Sequence, residues 1–271
     1  MDAITSTLNM LAIGALPAAW ALLWYALRRR GVSRWKPAAV GALTFVVAAR
    51  VLEPLALQAS GLMAWASAQA PAPVWVIFAF ALAAGLFEEV GRAVGLVSVS
   101  RPGADRCAAT WSFAAGYAGA ELLLIGVVGH GQLLAIAQSA DGGAAVLQAL
   151  PPEARANLQR ALEALGPLTA FWVISERLAA VVFQIGLTLL VSGAIQRRSP
   201  GPWAAALGLH VLVDLPAAAY QTGHVTLWIV EVIYLAAGAA AAWGIHRYRL
   251  HGHRDRIAGG PRRAPRRGEH R

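Results

Sequence analysis

Charge is scarce in this chain. Only 14% of its 271 residues are charged, while 58% are hydrophobic and the mean hydropathy is +0.54. A soluble domain carries about 25% charged residues, so a soluble globular enzyme is excluded. Cysteine is nearly absent too. The single Cys107 can close no intramolecular disulfide and belongs to no metal-binding spacing. The opening MDAITSTLNM lacks the basic n-region of a signal peptide, and the first arginines follow the first apolar run. That run therefore reads as an uncleaved anchor with its N-terminus outside. No internal repeat is apparent, which weighs against many transporter folds. No GxSxG, P-loop, GxGD or HExxH occurs, so the commonest serine, nucleotide, aspartyl and zinc chemistries lose their sequence grounds.

What the chain does contain is apolar runs. Seven can be drawn, at roughly 8–27, 38–59, 74–99, 108–137, 168–194, 202–219 and 225–246, most of them close to the roughly 20 residues that cross a bilayer. The fold class is therefore all-α, a polytopic transmembrane bundle of about seven spans. The net charge of +9 does not point to nucleic acid, because the basic residues gather at helix ends and in the tail from Arg247 to Arg271. With the N-terminus outside, the inner stretches 28–36, 100–107, 195–200 and 247–271 hold 18 of the 23 Lys and Arg residues. That is the positive-inside pattern. It implies a multi-pass plasma-membrane protein with a cytoplasmic C-terminus and the lipid bilayer as its standing partner.

Residues 1–249 make up the transmembrane domain. Within it, 139–166 is too polar to span. Ala154, Leu158, Ala161, Leu162 and Leu165 recur there at helical spacing, which predicts an amphipathic helix on the outer surface. Residues 250–271 are basic, rich in Gly and Pro and without periodicity, which predicts a disordered cytoplasmic tail near anionic lipid.

The spans hold seven acids (Glu53, Glu88, Glu89, Glu121, Glu176, Asp214 and Glu231) against three arginines (Arg50, Arg92 and Arg177). Ionisable groups in hydrocarbon must be paired, hydrated or neutralised, and they are functional-site candidates by default. In the third span Glu88 and Arg92 are four apart, on one helix face, while Glu89 is turned about 100° away. Arg92 can hold one carboxylate, leaving the other for proton chemistry on a water. Glycines at 85, 91 and 95 allow a neighbouring backbone to approach this pair. His210 and Asp214 are likewise four apart, so the acid can orient the ring. The same spacing suits two metal ligands. His210, however, is the only histidine near mid-span, which argues against a histidine-rich zinc site, and neither metal nor cofactor is expected. Glu121 follows AAGYAGA, where Gly116 and Gly119 permit close packing and Tyr117 offers a hydroxyl. Glu176 and Arg177 are adjacent and so are expected to pair with other spans rather than each other. Arg50 and Glu53 suit an ion pair, and Glu231 suits either Arg177 or a cavity wall.

The strings AAGLFEEVGR, GYAGAE, SERLAAVVFQIGLTLLV and LHVLVDLPAA, in that order, resemble the YhfC family of intramembrane peptidases, and GVSRWKPAAVGALTFVVAARVLEPL extends the likeness over about residues 10 to 245. That family is distantly similar to the CAAX-prenyl endopeptidases and bacteriocin-processing proteins, which are glutamic-type intramembrane proteases. The resemblance implies that Glu88 activates the hydrolytic water with Glu89 and Arg92 in support. It also implies that His210 and Asp214 form the HxxxD motif that stabilises an oxyanion or positions the water, and that Glu121 is the acid of a GHGGxE motif. Two positions depart from the pattern, with Tyr117 and Gln184 standing where the family carries histidines. Tyrosine can donate to an oxyanion but does not shuttle protons near neutrality as imidazole does.

Two readings follow. One is an intramembrane endopeptidase hydrolysing a hydrophobic peptide or membrane-protein substrate with a glutamate-activated water. The other is a catalytically degenerate member that binds such a partner as a scaffold. A proton-coupled transporter would use the acidic spans but lacks repeat symmetry.

Overall fold

A computed structural model describes residues 2–67, 69, 73–99, 106–139, 143–150 and 152–258. The described residues are helical and contain no strand. Among the described residues, seven helices are long and apolar enough to cross a membrane: α1 (Ala3–Arg29), α2 (Trp35–Ala59), α3 (Val74–Val99), α4 (Arg106–Gln138), α5 (Pro167–Arg197), α6 (Gly201–Gln221) and α7, whose apolar part is Leu227–Arg247. The count and order are those expected from the apolar runs. Asp2 caps α1, its Oδ1 accepting the Thr5 N–H at 2.7 Å, and this backbone bond holds the Asp2 carboxyl below the usual carboxylate range.

Many large apolar side chains face outward, Leu22, Leu43, Val94 and Leu212 among them. In water such a surface would drive aggregation, whereas in lipid it is the expected exterior. The chain is a multi-pass membrane protein. Inside the bundle α5 is the most buried span and touches α1, α3, α4, α6 and α7. At 31 residues it is about 46 Å long, more than a hydrocarbon core of about 30 Å.

Small residues set the closest helix contacts. A Cβ added at Gly116 of α4 would lie 1.9 Å from the carbonyl oxygen of Ala38 on α2, and one at Gly41 would lie 2.2 Å from that of Phe113. The α2 and α4 backbones therefore touch directly along the GYAGA run. Gly85 and Gly91 leave room on α3 for neighbouring side chains, since added Cβ atoms would meet Val211 Cγ2 of α6 at 2.9 Å and Ala48 Cβ of α2 at 2.7 Å.

Two features divide the bundle along its length. Phe45, Leu96, Phe113, Leu187 and Val191 form an apolar core in the half towards the α1–α2 and α5–α6 connections. In the other half, α2 and α4 each contain a π-helical stretch, Val46–Leu52 and Leu122–Gly129. Glu53 directly follows the first and Glu121 directly precedes the second. A π stretch widens a helix and re-aims the side chains beside it, often at functional sites. Both acids are turned onto the wall of one cavity.

The polar stretch between α4 and α5 forms two short helices, Ala144–Ala149 and Pro152–Glu163. Arg155 Nε donates to Leu147 O at 2.8 Å, and Arg160 Nη2 reaches Gln221 O at the end of α6 at 3.0 Å. The second helix carries Ala154, Leu158, Ala161 and Leu162 of the spaced residues. The α7 helix continues to Ala258, into the segment expected to be a disordered tail, and the rest of that tail lies outside the described residues.

Candidate active site

Three helices bring the predicted residues together. α3 supplies Glu88, Glu89 and Arg92, α4 supplies Tyr117, and α6 supplies His210 and Asp214. Arg92 is fully buried, as is Glu89, and Glu88 is 8% exposed on the cavity side.

The two glutamates are distinguished by their partners. Arg92 Nη2 lies 3.1 Å from Glu89 Oε1 but 3.8 Å from Glu88 Oε2, so the closer ion pair is with Glu89. Glu89 Oε1 also meets His210 Nδ1 at 2.7 Å, and its main-chain carbonyl accepts from Trp203 Nε1 at 3.2 Å. Glu89 is thus a buried structural carboxylate joining an arginine on its own helix to the imidazole of another. Its Oε2 has no hydrogen-bond partner among the described residues.

Glu88 is arranged differently. Its Oε2 accepts from the Tyr117 hydroxyl at 2.9 Å and from Gln184 Nε2 at 3.4 Å, and lies 3.8 Å from His210 Nε2. All these contacts converge on one oxygen, and the side chain lines the cavity. Tyr117 is fully buried behind Glu88, packed on Phe113 and edge-on to Phe45, with the Arg92 guanidinium 4.1 Å from its ring centroid. It supports the carboxylate without filling the space in front of it.

Asp214 meets His210 as the HxxxD spacing suggests, at the ring nitrogen that Glu89 does not take. Its Oδ2 lies 3.4 Å from Nε2, on the same edge of the ring as Glu88, while the opposite nitrogen belongs to Glu89. The reason is azimuthal, because α6 packs against α3 and Glu89 points along that seam. Asp214 is held in turn by the Tyr234 hydroxyl of α7, which donates to Oδ1 at 3.0 Å.

Glu121 sits elsewhere on the cavity wall. Its Oε1 is 3.6 Å from Arg177 Nη1 of α5, and its Oε2 has no hydrogen-bond partner. Arg177 does pair with another span, as expected. It also contacts its neighbour Glu176, contrary to expectation. Adjacent Cβ atoms diverge by about 100°, but a guanidinium on a long stem can fold back to the next carboxylate. Glu231 pairs with neither Arg177 nor the main cavity. It is buried, its Oε2 lacks a partner, and it lines a separate crevice with Trp172 and Trp228.

The cavity measures about 420 Å³. Its wall includes Glu53, Glu88, Glu121, Glu176, Asp214 and His210 set among apolar side chains. Sequence reasoning did not anticipate the part played by Gln184 and Thr188 of α5. Arg92 donates to Gln184 O at 3.0 Å and to Thr188 Oγ1 at 2.8 Å, and also contacts Gln184 Oε1. Their spacing of four within an apolar span was the available signal, since it places two polar groups on one inward face.

The profile of a family described as YhfC intramembrane metalloprotease matches residues 10–235. An uncharacterised membrane protein YhfC of Bacillus subtilis (strain 168) is 29% identical over 235 residues, covering 83% of this chain and 88% of that protein. No solved structure matches. The matched stretch includes α3, α4, α5 and α6, which carry Glu88, Tyr117, Gln184 and His210, and the chain belongs to the YhfC intramembrane metalloprotease family.

Proposed function

We propose that this protein is an intramembrane endopeptidase in which Glu88 activates a water for attack on a peptide carbonyl. The observation that carries this reading is the unequal placement of the two glutamates. One is locked by Arg92 and His210, and the other faces a polar cavity in a membrane-embedded bundle. A water in front of Glu88 lies within reach of His210 Nε2, since the two groups are 3.8 Å apart.

The family description names a metal, and the donor set around Glu88 decides whether one fits. The groups that meet Glu88 are a phenol O–H, a carboxamide N–H and a guanidinium, with a single imidazole whose Nε2 also lies 3.4 Å from Asp214 Oδ2. The first three are hydrogen donors there, whereas a metal ligand must offer a lone pair. Among the described residues no group of three His, Cys, Asp or Glu side chains is arranged to hold an ion. These residues do not fit a metal centre, and Glu88 is left as the base.

Glu88 takes a proton from the water as it attacks the scissile carbonyl carbon. The carbonyl oxygen becomes an oxyanion, to which the His210 Nε2–H donates when the ring is protonated. Glu88 then delivers the proton to the leaving nitrogen as the C–N bond breaks. Glu89 and Asp214 fix the imidazole from opposite edges, while Tyr117 and Gln184 hold Glu88 in one rotamer. Glu88→Gln should abolish cleavage of a membrane peptide substrate in proteoliposomes, with purified yield and melting unchanged. Undiminished turnover in that variant would sink the mechanism.

One observation favours the second reading, of a non-catalytic peptide binder. Tyr117 and Gln184 both donate to the carboxylate oxygen that the base would use, where the family pattern has histidines.

A further inference from the structure

The Glu88 cavity runs from mid-span, where Glu88, Gln184 and His210 line it, to one end of the bundle. Leu57 is close to the end of α2 at Ala59, and Met63 follows that helix. Gln221 is the last residue of α6. Glu176 lies in the first third of α5, and Tyr234 is the eighth residue of α7. These positions share the end at which α2 connects to α3, α4 to α5 and α6 to α7. Consecutive spans alternate in direction, so helix starts and helix ends meet there in turn.

The opposite direction is closed. One turn beyond Glu88 lies Arg92, with no exposure, and beyond it Phe45, Leu96, Phe113, Leu187 and Val191, each 1% exposed or less. An aqueous path from Glu88 can therefore reach only one face of the membrane. Water is required for hydrolysis, and the bilayer itself does not supply it.

The charge of the connections identifies that face. The closed end carries residues 28–36, 197–198 and Arg247, which together hold eight Lys and Arg residues. The open end's connections contain Arg155 and Arg160 alone. Short connections rich in Lys and Arg stay in the cytoplasm. Arg155 and Arg160 are also engaged with main-chain carbonyls, at Leu147 and Gln221 respectively.

We propose that the cavity opens only to the extracytoplasmic side, so that the site acts on peptide segments lying at or anchored in that face. The substrate class rests on the peptidase reading, but the sidedness does not. The Pro152–Glu163 helix, tied by Arg160 to the end of α6, lies beside the mouth and is the first surface such a segment meets.

The test is side-specific cysteine modification in intact cells, starting from Cys107→Ser. Ala84→Cys probes the cavity wall one turn above Glu88, Gln221→Cys probes its mouth, and Ser33→Cys probes the closed end. A small, membrane-impermeant cationic methanethiosulfonate should modify Ala84→Cys and Gln221→Cys before permeabilisation. Ser33→Cys should react only after it. The reverse order would overturn the proposal, as would protection of Ala84→Cys until detergent is added. Modification needs no turnover, so the same pattern is expected in a Glu88→Gln background. If labelling follows the prediction while Glu88→Gln leaves cleavage intact, the sidedness stands and the peptidase mechanism falls.

Discussion

Arg92 offers the sharpest test of the electrostatic reasoning. It is fully buried and in contact with Glu89, which is also fully buried, as well as with Glu88, Gln184 and Thr188. Arg92→Met keeps the length of the side chain and removes the charge, leaving the Glu89 carboxylate with only His210 as its close partner. Breaking a buried ion pair from one side costs about 3–5 kcal/mol, because an uncompensated charge stays behind. At roughly 2–4 °C per kcal/mol for a chain of this size, melting should fall by on the order of 10 °C. Glu89→Gln in the same background removes the stranded charge and should restore about half of that loss or more, since an ion pair replaced on both sides is often close to neutral. The protein carries 10 tryptophans, so intrinsic fluorescence during a thermal ramp in detergent, checked by size-exclusion chromatography, reads both variants. A single variant that melts like the parent would refute the buried-pair argument. So would a double variant no more stable than Arg92→Met, because then the damage would lie in packing rather than charge.

Gly116→Ala should separate α2 from α4, because the new methyl would lie 1.9 Å from the Ala38 carbonyl, a backbone atom that cannot rotate away. Overpacking of this kind costs about 1–3 kcal/mol, and a shift near 1 Å at Tyr117 is enough for about a 100-fold loss of turnover. A variant with parental melting and activity would show that the seam is looser than described. Restoring the family pattern with Tyr117→His and Gln184→His tests whether the native site is silent. A gain of cleavage on a generic helical substrate would support the binder reading, and unchanged turnover from an already active parent would exclude it.

The spans and the identity of the acidic cluster were legible in the sequence because both depend on short-range order. A run of apolar residues about as long as the bilayer is thick has few alternatives to crossing it. Residues four apart on a helix share a face wherever that helix packs, and this is why Glu88 with Arg92 and His210 with Asp214 could be placed on common faces from spacing alone. The same rule misjudged Glu176 and Arg177, since it describes Cβ directions and not the reach of a guanidinium. It was also silent on which glutamate Arg92 would hold, because both lie within its reach.

Only the tertiary structure decided the contacts between helices. The rotation of α6 against α3 gives His210 Nδ1 to Glu89 and leaves Asp214 on the far edge of the ring. The seating of α4, through Gly116 on the α2 backbone, brings the Tyr117 hydroxyl to Glu88. The inward face of α5 brings Gln184 and Thr188 to Arg92. Hydropathy and periodicity specify how far along a helix a residue lies and which face it occupies. The angle at which that face meets another helix is set by the fit of side chains from distant parts of the chain, and that fit separates the glutamate that is tied down from the one that faces the cavity.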